Sequence, residues 1–174
     1  MQSGCATDGR TVFTNGIDAL MLGAQRRPIS AVKAPTGGRV TATSVDLAVE
    51  RWRHERPKIP EMGVTPGKPM YRDVGDIVGS GIAVGNGVAY FTAVGSGKLV
   101  ALDAATGAVL KDVPLGPVFA GPALSRGRVY VGGGNVLWTP ADFECFFPKQ
   151  YTGGVRCFGL PGADEVDRIG RDQK

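Results

Sequence analysis

One histidine and three cysteines in 174 residues leave little material for imidazole or thiol chemistry. His54 stands alone, so a site built from several histidine ligands cannot form within one chain. No Ser-His-Asp or Cys-His arrangement has local support around it, and it is expected at a strand edge facing solvent or the core margin. Neither CxxC nor CxxCH occurs, which removes the signatures of redox dithiols, zinc ribbons and c-type haem. Cys145 and Cys157 remain as a pair able to staple a loop to a strand in an oxidising compartment, and Cys5 is expected as a small core residue. Long apolar runs are also missing: none approaches the ~18–20 residues of a membrane helix. The first ten residues, "MQSGCATDGR", have neither a basic nor an apolar leader region, so no export signal is legible in the sequence. Charge of one sign is scarce too. The net +4 arises in residues 1–60, which hold nine Lys/Arg and five Asp/Glu. Arg26, Arg27, Arg51, Arg53, Arg56 and Lys58 are expected on solvated strands and loops. No aromatic-interleaved basic stripe accompanies them, so a nucleic-acid partner is not expected.

What the chain has in quantity is turn residues. Its 27 glycines and 12 prolines fall between short apolar runs without a collagen period, the pattern of a protein made of hairpins. In "GKLVALDAATGAVLKDV" (97–113), apolar alternation flanks a polar knot. Asp103 can accept backbone N–H bonds within that knot, Thr106 more weakly, and Gly107 can supply the positive φ that closes the turn. A lone hairpin is marginal in water, so it must bury a face on neighbours.

Neighbours of the same design are present. "GIAVGNGVAYF" (81–91) aligns without gaps with "GPALSRGRVYV" (121–131) at an offset of 40, pairing Gly81 with Gly121, Ala83 with Ala123, Gly87 with Gly127 and Tyr90 with Tyr130. "DGRTVF" (8–13) aligns at an offset of 78, placing Gly9 on Gly87 and Phe13 on Phe91. Residues 97–111 align with 38–52, setting Ala101 on Ala42 and Lys111 on Trp52. A shorter copy, "GGVRCFGLPG" (153–162), puts Val155, Cys157 and Gly159 on Leu99, Ala101 and Asp103.

These residues resemble the repeat of the quinoprotein-type, or pyrroloquinoline-quinone repeat, β-propellers. The family pattern runs Gly-x-apolar-x-Ala-x-Asp-x-x-Thr-Gly-x-x-x-Trp after a strand ending Gly-x-apolar-Tyr. Residues 97–111 match at Gly97, Ala101, Asp103, Thr106 and Gly107, with Lys111 where the family has Trp. The copy at 38–52 keeps Ala42 and Trp52 and has Ser44 and Ala48 at the turn. Residues 116–162 further resemble bacterial polyvinyl-alcohol-dehydrogenase-like propellers. The resemblance implies an all-β fold: a partial β-propeller of about three four-stranded antiparallel blades with long inserted loops. The blades are expected at about 3–56, 79–115 and 117–162 within a unit spanning 1–162. A Pro-rich connector is expected at 57–78, insertions at 15–37 and 133–152, and a polar tail at 163–174. Propellers have four to eight blades. Three leave the ring open, so the chain is expected to be the C-terminal part of a longer propeller, the alternative being closure by another chain.

Most chemical motifs dissolve on inspection. "GSGIAVG" (79–85) misses GxGxxG by one position, and "GSGK" (95–98) lacks a phosphate loop's other residues, so both are expected to be hairpin turns. Asp103 is explained by its turn. Trp52 fits the family's packing indole between blades, its N–H finding a carbonyl. The insertion 133–152 is the expected binding surface for a protein or polymer, carrying Asn135, Trp138, Asp142 and Glu144 among several aromatics. No residue is assigned a catalytic, cofactor-binding or metal-binding role. The resemblance implies two functional classes. One is a cofactor-free binding or scaffold module. The other is part of an alcohol dehydrogenase in which pyrroloquinoline quinone accepts a hydride and calcium polarises the quinone. By the same resemblance, the protein is expected in the periplasm or outside the cell.

Overall fold

The computed structural model describes residues 4–17, 37–62, 71–116, 118–133 and 153–159. They form thirteen strands, with no helix among the described residues. The first sheet is an antiparallel meander of β1 (Ala6–Thr7), β2 (Thr11–Ile17), β3 (Gly38–Ser44) and β4 (Glu50–Glu55). A hairpin, β5 (Lys58–Met62) and β6 (Tyr71–Gly75), follows it. The second sheet holds β7 (Ala83–Gly85), β8 (Val88–Ala93), β9 (Lys98–Asp103) and β10 (Val109–Pro114), again in sequence order. The third has three strands among the described residues, β11 (Pro122–Ser125), β12 (Arg128–Gly133) and β13 (Gly154–Gly159).

The three sheets stack face on face, as in a partial β-propeller. Period-two alternation gives each sheet two distinct faces. From the first sheet, Phe13, Val40 and Ala42 enter one core with Ala89, Phe91, Val100 and Leu102 of the second. The second sheet's opposite face supplies Leu99, Tyr90 and Val113 to another core with Val129, Val131 and Phe158 of the third. Fully buried side chains such as Phe13, Phe91 and Leu102 each contribute roughly 1.5–3 kcal/mol by leaving water. At the narrow inner edge, Gly4, Gly81 and Gly121 run in file. A Cβ on Gly121 would lie 3.1 Å from the nitrogen and oxygen of Gly81, so the converging backbones require the missing side chain.

Strand register tests the internal alignments. Ala83 faces Tyr90 and Ala123 faces Tyr130, as the offset of 40 requires. Trp52 faces Ala42 and Lys111 faces Ala101, so the two longer hairpins are equivalent residue by residue. Cys157 faces Tyr130 as Ala101 faces Tyr90. The alignment of residues 8–13 needs correction. Phe13 faces Ala42, the equivalent of Ala101, and therefore corresponds to Tyr90 and not to Phe91. The offset is 77, and a one-residue slip moves a side chain to the opposite face. Glycine matching misled the alignment because the turns differ. Asn86–Gly87 and Arg126–Gly127 have positive φ at both central residues, whereas in the first sheet Gly9 alone does.

Four further expectations change. The segment 57–78, expected to be a connector, contains the β5–β6 hairpin; Pro60 is compatible with a two-stranded ribbon, where an N–H has no second neighbour to bond. "GSGIAVG" is no turn: it runs extended into β7, with Val78 bridging Ala93 and the buried Ser80 hydroxyl accepting from Thr92 N–H at 2.8 Å. Cys5 is exposed, not in the core. Arg56, expected in solvent, is buried because two carboxylates receive it.

Candidate functional site

The sequence motif closest to chemistry is structural. The Asp103 carboxylate accepts from Ala105 N–H at 3.0 Å, Thr106 N–H at 2.8 Å and the Thr106 hydroxyl at 2.9 Å. These bonds hold its pKa below the ordinary aspartate value, the Thr106 hydroxyl contributing most. Gly107 closes the turn at φ 75°, its N–H donating to Asp103 O at 2.8 Å. The first sheet repeats this geometry with poorer parts: Ala48 N–H donates to Ser44 O at 3.1 Å, and Ala48 takes the left-handed conformation at φ 51°. Trp52 crosses from the first sheet to this turn of the second. Its Nε1–H donates to Ala104 O at 3.0 Å, and a Cβ on Gly107 would lie 2.7 Å from the indole. The inter-sheet packing role expected of Trp52 is thus present.

A buried ion cluster lies beside this seam. Arg56, just beyond β4, donates through Nε and Nη2 to Asp76 Oδ2 at 3.3 and 3.2 Å, and through Nη2 to Asp112 Oδ2 on β10 at 3.3 Å. Asp76 is fully buried and also accepts from Ser96 N–H at 2.8 Å and the Ser96 hydroxyl at 2.6 Å. Lys98 reaches Asp112 Oδ2 at 3.3 Å. Arg56 thereby ties the first sheet, the segment after β6 and the outer strand of the second sheet together. Burial pushes the Asp112 carboxyl up, but Arg56 and Lys98 outweigh it and leave the group below its ordinary value.

His54, on β4, packs its ring 6.4 Å from that of Phe91, with Nε2 buried and without a hydrogen-bond partner. Burial holds it below the ordinary histidine value, Arg56 adds to that, and Asp112 opposes it. Of the two positions expected for His54, facing solvent or at the core margin, the core margin is the observed one. Sequence reading missed Asp76 and Asp112. Asp76 carried a usable signal, an acid in the apolar run "GDIVGSGIAV" that needs a partner once buried. Asp112 carried none.

Chemically, the cluster sets two carboxylates against two cations, with Asp76 already accepting four hydrogen bonds. That donor set does not fit calcium beside a quinone. Among the described residues, no group of three or more His, Cys, Asp or Glu residues gathers into a metal-holding set. Cys157 is an exposed free thiol, and Cys145 lies outside the described residues. So do Arg26, Arg27, Asn135, Trp138, Asp142, Glu144 and the tail. No helix among the described residues is long and apolar enough to cross a membrane.

No protein-family model and no curated protein matches the chain. Among solved structures it is similar to a europium-containing methanol dehydrogenase, with 18% identity and a TM-score of 0.48 over 74% of this chain. The match spans 19% of that enzyme's length.

Proposed function

We propose that the chain is a quinoprotein-like β-propeller segment acting as a binding or scaffold module without catalysis of its own. One observation carries this reading: the carboxylates that the described residues bring together are consumed in holding the fold. Asp103 closes a turn, Asp76 and Asp112 hold Arg56 between sheets, and Asp112 also takes Lys98 within the second sheet. In this reading further sheets, from a longer chain or a partner, complete the ring in the periplasm or outside the cell. The 133–152 segment presents the surface for a protein or polymer ligand.

The test is spectroscopic. The full chain is titrated with pyrroloquinoline quinone and calcium, and the quinone absorbance is followed on adding a primary alcohol. A scaffold leaves the spectrum as it is in buffer. Alcohol-dependent reduction of the quinone overturns the reading in favour of a dehydrogenase segment.

A further inference from the structure

Among the described residues, no indole fills the seam between the second and third sheets as Trp52 fills the seam before it. Register places Lys111 where the first sheet has Trp52, since both face the equivalent alanines Ala101 and Ala42. Instead of a filled gap there is a cavity of about 310 Å³ between the two sheets. Tyr90, Leu99, Val129 and Phe158 form its walls, and it opens at the exposed Leu110 and Lys111. An apolar cleft of this size is at the lower end of those that hold small molecules. Lys111 has no ion-pair partner among the described residues, although Lys98, one strand away, has Asp112. A cation at the mouth of an apolar cleft favours a ligand with a flat hydrophobic body and an acidic group.

We infer that this seam is a binding site for a small aromatic carboxylate, with the ring lying in the cavity and the acid against the Lys111 ammonium. The equivalent gap one sheet earlier shows the fit of an aromatic body: there the chain's own indole occupies it. The inference goes beyond the scaffold reading and stands apart from it, because the site lies wholly within the described sheets.

Indole-3-acetate is the probe and neutral indole its control, measured by ligand-observed NMR and calorimetry on the full chain. The acid should bind in the millimolar range or tighter. Lys111→Met keeps the stem and removes the charge, so it should weaken the acid about fivefold and leave indole unchanged. Lys111→Trp, which fills the cavity from within, should abolish binding of both and raise the melting temperature. A chain that binds neither probe overturns the site. So does a Lys111→Trp variant that is folded by circular dichroism and still binds indole as the parent does. If Lys111→Met binds the acid with undiminished affinity, the role given to the ammonium is wrong.

Discussion

Substituting Gly107 by alanine tests the stacking of the first two sheets at a single atom. Two separate costs arise. At φ 75° the backbone is left-handed, where an L-residue is strained by about 1–2 kcal/mol. The added Cβ would also sit 2.7 Å from Cδ2 and Cε3 of Trp52, closer than real carbon contacts allow. The indole must withdraw, loosening its 3.0 Å bond to Ala104 O, worth about 1 kcal/mol, together with part of its packing. The sum is about 2–4 kcal/mol, which lowers the melting temperature by roughly 5–15 °C in a chain of this length.

The size of the loss alone does not separate the two causes, so the decisive measurement is a double-mutant cycle. Gly107→Ala is made in the parent and in a Trp52→Leu background, with unfolding in urea followed by far-UV circular dichroism. Without the indole, only the backbone strain remains, and Gly107→Ala should cost about 1–2 kcal/mol. The difference, about 1–2 kcal/mol, is the coupling between residues on different sheets. Equal costs in the two backgrounds would refute the contact, and with it the face-to-face arrangement of these sheets at their outer edge.

Ala48→Gly should stabilise the chain by about 0.5–1 kcal/mol, because Ala48 already occupies a left-handed conformation; the urea midpoint rises with an unchanged slope. Asp76→Asn removes the charge facing a buried guanidinium and should cost about 3–5 kcal/mol in the same assay. Acid should destabilise in two steps. His54 sits below 6.5, so between that value and its folded pKa the folded state binds fewer protons than the unfolded state, and stability falls as pH falls. Asp8, whose carboxylate accepts from Arg10 N–H and Thr11 N–H, sits below 3.8 as Asp103 and Asp112 do, so their contribution is present above about pH 4 and is lost as pH drops through their folded values. In thermal melts across pH, His54→Gln should remove the upper step and leave the lower; persistence of both steps would assign the upper one elsewhere.

The all-β architecture was legible because each hairpin is a local object. Alternation placed the strands, and Asp103, Thr106 and Gly107 announced their turn by residue type alone. Trp52 was legible because it stands where the repeat it resembles has its packing tryptophan. Two kinds of feature escaped. The displacement of Phe13 by one residue followed from trusting glycines, which mark where a turn lies but not its type; only the pairing of Phe13 with Ala42 fixes the face. The ion cluster escaped for another reason. Arg56, Asp76 and Asp112 meet from three separate segments, and no spacing in one dimension encodes that meeting.

The pattern of loss among the repeats has a physical order. The seam between two sheets needs a donor, an indole on the outer strand of one, and a receiver, a tight turn with glycine at its tip on the next. In the first sheet the donor Trp52 is intact while the turn has Ser44 and Ala48, and Ala48 is exposed, with no indole against it among the described residues. That sheet's outward face also carries Thr14, Thr41 and Thr43, where the second sheet buries Phe91, Val100 and Leu102. Among the described residues nothing there demands a glycine beyond the φ angle itself. In the second sheet the receiver is complete, because Trp52 lands on it, but its own donor position holds Lys111. In the third, Gly159 stands where the turn would have its aspartate. Turn and indole are thus kept or lost as partners across a seam, not as members of one repeat. A unit that looks half-degraded in sequence therefore marks a boundary between one tight seam and one open one, and the second sheet, with its intact turn and its lysine, is that boundary.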